Sequence, residues 1–127
     1  MPTALVIDAD VRATSTIVAA LQPRGVVVST ASDPTQAIEQ VRTAPPDIVL
    51  LRVELPTLSG FAVCNSLRRD PVTKSVPLVM YASDVAPDVF VQHRTLRTGA
   101  DAYLAMPLQP RALLAAVGRL IALGGPH

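Results

Sequence analysis

Four carboxylates, Asp8, Asp10, Glu54 and Asp84, each stand at or just beyond the end of a short apolar run, and one arginine, Arg52, holds the same kind of position. Carboxylates that converge can hold a hard cation such as Mg²⁺, which asks for oxygen ligands in octahedral geometry. They can also pair with a guanidinium, whose planar fork matches a carboxylate through two parallel hydrogen bonds. The arginine favours the second use, because a permanent cation repels a metal and supplies no ligand. A bidentate pair between Arg52 and Asp8 is therefore the expected arrangement, with a solvated Arg52 as the plainer alternative.

Other chemistries find little material. Cys64 is the only cysteine, so no internal disulfide can form, and its place between Val63 and Leu67 in a helical pattern marks it as a buried, inert thiol. His93 has no second histidine, cysteine or carboxylate pair at ligand spacing, so no metal site is expected around it. There is no GxGxxG, no P-loop, no GxSxG elbow and no Cys and His pairing. No cofactor is implied, and the chain does not read as an enzyme.

Whether the carboxylates and Arg52 meet depends on the elements between them. Short apolar runs alternate five times with longer amphipathic stretches, which is the pattern of repeated βα units and a parallel sheet covered on both faces. Strands are expected over residues 3–8, 26–30, 47–52, 77–82 and 102–105. Helices are expected over 11–22, from Asp33 to about Thr43, over 61–69, from Pro87 to Thr98, and from Pro110 onward. Asp33, Pro34 and Gln36 supply an N-cap, a first-turn proline and a capping-box partner. Leu113, Leu114, Val117, Leu120 and Ile121 form the apolar stripe of the last helix. Composition agrees: 127 residues suit one domain, and a chain 50% hydrophobic but only 3% aromatic must build its core from aliphatic side chains. The domain is expected over 1–123, with 124–127 as a linker or ragged end of a chain cut from a longer protein.

In a doubly wound sheet, functional residues gather outside the carboxyl ends of the strands. That rule selects Asp8, Ala9 and Asp10, then Arg52 and Glu54, then Ala82 to Asp84, then Met106 and Pro107. At these positions a resemblance becomes specific. The runs Leu5-Val6-Ile7-Asp8, Asp47-Ile48-Val49-Leu50-Leu51, Leu55-Pro56-Thr57-Leu58-Ser59-Gly60-Phe61 and Gly99-Ala100-Asp101-Ala102-Tyr103-Leu104, continuing to Met106-Pro107, resemble the receiver domains of response regulators, in order and along essentially the whole chain. The resemblance implies a flavodoxin-like (βα)5 fold with strand order 2-1-3-4-5.

It also implies a site, and most of that site is missing here. Receivers place an acidic pair after the first strand and a phosphoaccepting aspartate after the third, which together hold Mg²⁺. A Thr or Ser after the fourth strand and a Lys before a proline after the fifth contact the phosphoryl group. Asp8 matches the first acid, but Ala9 replaces the second, Arg52 the phosphoacceptor, Ala82 the hydroxyl residue and Met106 the lysine. Ser83 lies one residue beyond the hydroxyl position, where strand alternation is expected to turn it away. A guanidinium accepts no phosphoryl group, so phosphorylation by the family mechanism is expected to be absent.

The remaining surface points to protein binding. Receivers signal through the face of the fourth helix, fifth strand and fifth helix, and Tyr103 falls on the aromatic position that switches there. With Ala82 in place of the hydroxyl residue, Tyr103 is expected to be a static contact. The segment Phe90-Val91-Gln92-His93-Arg94 with Tyr103 is similar to an atypical receiver of a gliding-motility protein that lacks the phosphoacceptor and docks on a protein. His93, Tyr103, Arg94 and Arg97 are the candidate contacts, with Arg94 and Arg97 three apart on one helix as rim charges. A half-exposed His93 bonded to a neighbour, and a merely solvated basic face, are the plainer readings. A decoy that binds a histidine kinase or phosphotransfer domain without accepting phosphate is the alternative function. The net charge of +1, with no basic stripe interleaved with aromatics, implies no direct nucleic-acid partner. Without an apolar run of membrane length or a leader pattern, the domain is expected to be soluble and cytoplasmic, as a monomer or weak dimer.

Overall fold

Apolar runs become strands where they can pair with a neighbour, and five do so, three of them on both sides and the two edge strands on one. The structure, a computed structural model, describes residues 1–125. Its strands are β1 (Thr3–Ile7), β2 (Val27–Ala31), β3 (Ile48–Arg52), β4 (Leu78–Ala82) and β5 (Ala102–Ala105). All pair in parallel in the order β2-β1-β3-β4-β5, the doubly wound arrangement read from the sequence. The helices are α1 (Val11–Leu21), α2 (Pro34–Thr43), α3 (Gly60–Arg69), α4 (Pro87–Arg94) and α5 (Pro110–Gly118).

The two-residue period of the strands splits the core into two layers. Leu5, Ile7, Val49, Leu51, Leu78 and Met80 face α2 and α3, where Val41, Val63, Cys64 and Leu67 cover them. Ala4, Val6, Ile48, Leu50, Val79 and Tyr81 face the other way, against Ile17 and Leu21 of α1 and Leu113 and Val117 of α5. β3 is buried along its whole length, which is why its five residues carry no alternation of apolar and polar types.

Local signals set the helix starts. Asp10 accepts from the Arg12 N–H at 2.9 Å and Asp33 from the Thr35 N–H at 2.8 Å, each satisfying a donor that the first turn leaves free. Ser59 caps α3 in the same way, through the Ala62 N–H at 3.3 Å. Gly60 follows because nothing larger fits: an added Cβ would lie 2.2 Å from the backbone oxygen of Arg52. The β3–α3 loop therefore folds tightly over the end of β3, and this holds Arg52 in place.

Two helices are shorter than their apolar patterns suggest. α4 stops at Arg94 rather than Thr98, because the chain tightens into three-residue turns in which the Thr95 N–H bonds Gln92 O at 3.2 Å and the Leu96 N–H bonds His93 O at 3.1 Å. Arg97 therefore lies beyond the helix and not on a helical face shared with Arg94. α5 ends at Gly118, yet Leu120 and Ile121 still pack on the α1 side of the core. At the far end, the Gly124 N–H bonds Arg24 O at 2.8 Å and the Arg24 Nε–H bonds Gly124 O at 2.6 Å. The rest of the segment read as a linker, Pro126 and His127, lies outside the described residues.

Candidate functional site

β1, β3 and β4 lie side by side and in register, so their carboxyl ends open onto one spot. Arg52 is the last residue of β3, and its neighbour across the ladder is Tyr81 of β4. Its side chain is 10% exposed, and each nitrogen finds a different partner. Nε–H donates to Glu54 Oε1 at 2.6 Å, Nη1–H to Asp8 Oδ2 at 3.3 Å and Nη2–H to Ser83 Oγ at 3.3 Å. Asp10 Oδ2 stands 3.7 Å from Nη1. The Arg52 to Asp8 contact is thus a single hydrogen bond and not the expected bidentate fork. The closest carboxylate is Glu54, two residues along the same chain.

Asp8 is the buried member of the group, its side chain 2% exposed. One oxygen takes the Asp10 N–H at 2.8 Å, and the other takes Arg52 together with the Tyr81 hydroxyl at 2.7 Å. Tyr81 was not among the residues singled out from the sequence. Its signal was its ladder position: opposite Arg52, it must face the same side of the sheet. Burial, and next the adjacent Asp8 carboxylate, push the Tyr81 hydroxyl far above its ordinary pKa, so it stays a donor. Asp84 is exposed and forms none of the ion pairs to Arg52.

Ser83 corrects a second expectation. β4 ends at Ala82, so alternation no longer governs the next residue, and Ser83 turns toward the site. Its N–H and Oγ–H meet Glu54 Oε1 at 3.0 and 3.2 Å. Burial works against the Glu54 charge, but the Ser83 N–H and Arg52 prevail and lower its pKa. Burial likewise opposes the Arg52 charge, and Glu54 and Asp8 outweigh it, raising the arginine above its ordinary value. One guanidinium thereby ties the loops after β1, β3 and β4 to each other.

The other positions of the resemblance are apolar in fact as well as in type. Ala82 is 4% exposed and packs in the α2 and α3 layer. Met106 rests on the opposite layer and joins Pro107 through a cis peptide bond. Ala9 is exposed. Among the described residues no group of three His, Cys, Asp or Glu side chains is placed to hold a metal.

A second polar cluster lies under α4. The Tyr103 hydroxyl accepts the Ala100 N–H at 2.8 Å and pairs with His93 Nδ1. The His93 ring stacks obliquely on Phe61 at 4.8 Å, Phe90 lies 4.9 Å from Tyr103, and the Arg94 guanidinium sits 5.5 Å from the Tyr103 centroid. His93 is bonded to a neighbour, Tyr103, as the plainer reading had it, but at 9% exposure it is a buried link between α4 and β5 and not half-exposed. Arg94 and Arg97 are exposed. Cys64 is fully buried, its Sγ 3.2 Å from Thr98 O, and burial pushes the thiol up to about 11.

Burial lowers the His93 pKa below its ordinary 6.5, which gives stability a pH dependence of defined sign. The unfolded chain takes up this proton near pH ~6.5 while the folded chain does not, so stability declines as pH falls through that value. The decline stops below the depressed folded pKa. Melting temperatures between neutral and mildly acidic pH should show this slope in the parent chain, and a weaker one in His93→Phe.

The architecture places the chain among doubly wound signalling domains, and comparison makes the class definite. Residues 4–118 match the response regulator receiver domain. Relatives include the DNA-binding response regulator MtrA of Mycobacterium tuberculosis, 36% identical over 114 residues that cover 89% of this chain and 47% of that protein. The phosphate regulon transcriptional regulatory protein PhoB of Pseudomonas aeruginosa is 31% identical over 124 residues, 98% of this chain and 53% of that protein. The chemotaxis protein CheY4 of Vibrio cholerae superposes with a TM-score of 0.84 at 25% identity, covering 95% of this chain and 99% of its own.

This chain belongs to the response regulator receiver family of two-component signalling. It spans about half the length of the curated relatives it matches. Receiver domains are signalling modules that act through partner proteins. Among the described residues no helix is long and apolar enough to cross a membrane.

Proposed function

We propose that this chain is a pseudo-receiver, a docking module that binds another protein without being phosphorylated. The observation that carries the reading is the position of Arg52. Its guanidinium lies among Asp8, Asp10 and Glu54, on the ground where a receiver of the resembled type holds its metal and phosphoryl group. The residues present do not fit Mg²⁺. Asp8 Oδ2 is already shared by Arg52 and Tyr81, the second acid is Ala9 and the phosphoacceptor is itself a cation. Met106 offers no charge to steady a phosphoryl group.

Two features support a constitutive docking state. The Tyr103 hydroxyl is held by Ala100 and His93, and buried Ala82 has no hydroxyl with which to drive that ring. The surface of β5 and α5 forms a trough of about 430 Å³ floored by Ala102, Ala112 and Ala115, with Arg94 and Arg119 along it. The one acid in its lining, Asp101, is paired with Arg68, so Arg94 and Arg119 set a positive rim that selects for a partner with acidic groups there. Arg97, exposed but outside that lining, remains a candidate contact beside it. His93, being buried, contributes by positioning Tyr103 and not by touching that partner.

The test compares binding of a partner recovered by affinity capture, with and without acetyl phosphate and Mg²⁺. Equal binding is expected in both conditions, and a loss of about tenfold in the double variant Arg94→Glu, Arg119→Glu. Binding that requires the phosphodonor would defeat the proposal. The phosphorelay decoy has one feature in its favour: Val11, at the head of α1 beside the site, is 74% exposed. Retention of the chain by a phosphotransfer domain, lost in Val11→Asp, would favour the decoy.

A further inference from the structure

β2 lies at the edge of the sheet, with β1 on one side and no strand on the other. The Val27 N–H bonds Pro2 O at 2.9 Å, and Ala31 O accepts the Asp8 N–H at 3.0 Å, so these two residues turn their backbone groups toward β1. A parallel ladder uses alternate residues. With Thr3 opposite Val27 and Ile7 opposite Ala31, the residue between them that also bonds β1 is Ser29. The N–H and C=O of Val28 and Thr30 therefore point outward, and among the described residues no strand or loop backbone meets them there.

Side chains do not cover this edge. Val27 is 48% exposed, and Ser29 and Thr30, on opposite faces of the sheet, are both exposed, so neither flanking helix overhangs the strand. Natural edge strands are usually guarded by a lysine, a proline, an inward charge or a bulge. From Val26 to Ser32 there is no charge and no proline, and the register with β1 is unbroken.

The strand is also complementary to itself. When a second copy is turned antiparallel and centred on Ser29, Val28 of each meets Thr30 of the other. Each such pair exchanges two N–H···O bonds, which satisfies every outward group of both strands. The same register sets exposed Val27 against Ala31 of the second copy. It brings the Arg24 end of each strand to the Asp33 end of the other, opposite charges, where parallel pairing would set like beside like. An unrelated strand could satisfy the backbone, but these side-chain pairings are supplied by a second copy of this chain.

We propose that β2 is a dimerisation edge: two copies of this chain pair β2 to β2, antiparallel about Ser29, into one continuous sheet. The interface lies at the far side of the sheet from β5 and uses neither Arg52 nor the docking trough. Backbone bonds with little apolar area make a weak contact, with dissociation expected on the order of 100 µM.

Sedimentation equilibrium of the whole chain, from about ten times below that value to ten times above it, is expected to show a reversible monomer to dimer transition. Amide exchange at Val28 and Thr30 should slow as concentration rises, while Val27, Ser29 and Ala31 are protected throughout. Thr30→Pro should weaken association at least about tenfold, because proline removes an outward N–H and leaves the β1 ladder intact. Ser29→Lys, at an exposed position, should do the same by placing like charges opposite each other at the two-fold axis. Ser29→Cys should give a disulfide-linked dimer when oxidised with diamide, since the α-carbons of a non-hydrogen-bonded pair lie about 4.5 Å apart. Thr30→Cys, offset diagonally from its counterpart, should not, and buried Cys64 takes no part. A chain that stays monomeric throughout, a dimer that survives both Thr30→Pro and Ser29→Lys, or equal cross-linking of the two cysteine variants would overturn the proposal. So would a monomer whose Val28 and Thr30 amides are protected only by an added peptide of alternating Thr and Val, because the edge would then serve a foreign strand.

Discussion

Replacing Arg52 with methionine is expected to lower the stability of this domain by about 3 kcal/mol, because the substitution leaves Asp8 buried beside Tyr81 without its cation. The methionine chain fills much of the same volume, so packing is not the main term. What is lost is charge. Asp8, Asp10 and Glu54 then face one another with no opposing group, and the loops after β1, β3 and β4 lose their common tie. Arg52→Lys should recover part of the loss, since an ammonium keeps the charge but cannot donate in three directions from a planar fork. Combining Arg52→Met with Asp8→Asn should cost less than the single change, because the stranded carboxylate is gone. Urea unfolding of the parent, Arg52→Met, Asp8→Asn and the double variant checks this through the coupling energy. Equal losses in the single and double variants would mean that Arg52 acts only through its aliphatic stem.

Arg68→Ala is expected to cost about as much, roughly 3 kcal/mol, at the opposite end of the sheet. The Arg68 side chain is 8% exposed, with Asp101 2.8 Å away. Nε–H donates to Gly99 O at 3.0 Å, Nη1–H to Lys74 O and Val76 O at 2.9 and 2.7 Å, and Nη2–H to Asp101 Oδ2. Asp101 in turn accepts the Leu78 N–H at 2.8 Å, so one guanidinium fastens α3, the start of β4 and the turn into β5. Alanine strands three carbonyls and removes the partner of Asp101. Lysine should rescue little, because its single ammonium cannot span acceptors arranged around a plane. Beyond the shift in the unfolding midpoint, amide exchange at Leu78 should accelerate in Arg68→Ala more than exchange at Leu5 on β1. Uniform acceleration would show that the effect is global rather than local to this clasp.

The two arginines show what could be read from the sequence and what could not. Arg52 was legible because it sits at the end of the most apolar run, and strand ends in a doubly wound sheet converge. Its main partner was not. Glu54 is two residues away along the chain, a spacing that in an extended strand would put both side chains on one face but at a distance; the tight loop that Gly60 permits brings them to 2.6 Å. Arg68 is not legible as a clasp from the sequence, because its acceptors are mostly backbone carbonyls, which leave no trace in residue types. Strand placement was secure wherever apolar runs were bounded by Pro, Gly or Asp. The end of α4 was misplaced because Leu96 and Arg97 continue a plausible helical pattern. The constraint is tertiary: at Gly99 an added Cβ would lie 2.6 Å from His93 O, so the returning chain crowds the helix end. Ser83 was misassigned by extending strand alternation one residue beyond the strand. His93 was placed on the correct helix, but its burial depends on Phe61, thirty-two positions earlier in the chain.

The most direct measurement is uptake of a phosphoryl group. The intact chain is incubated with acetyl phosphate and Mg²⁺, and its mass is recorded over time beside that of an active receiver treated identically. With Arg52 in the acceptor position and bonded to Asp8 and Glu54, no mass increase is expected while the active receiver is modified. Stoichiometric gain of one phosphoryl group on a carboxylate at this site, Asp8, Asp10 or Glu54, would contradict the pseudo-receiver reading.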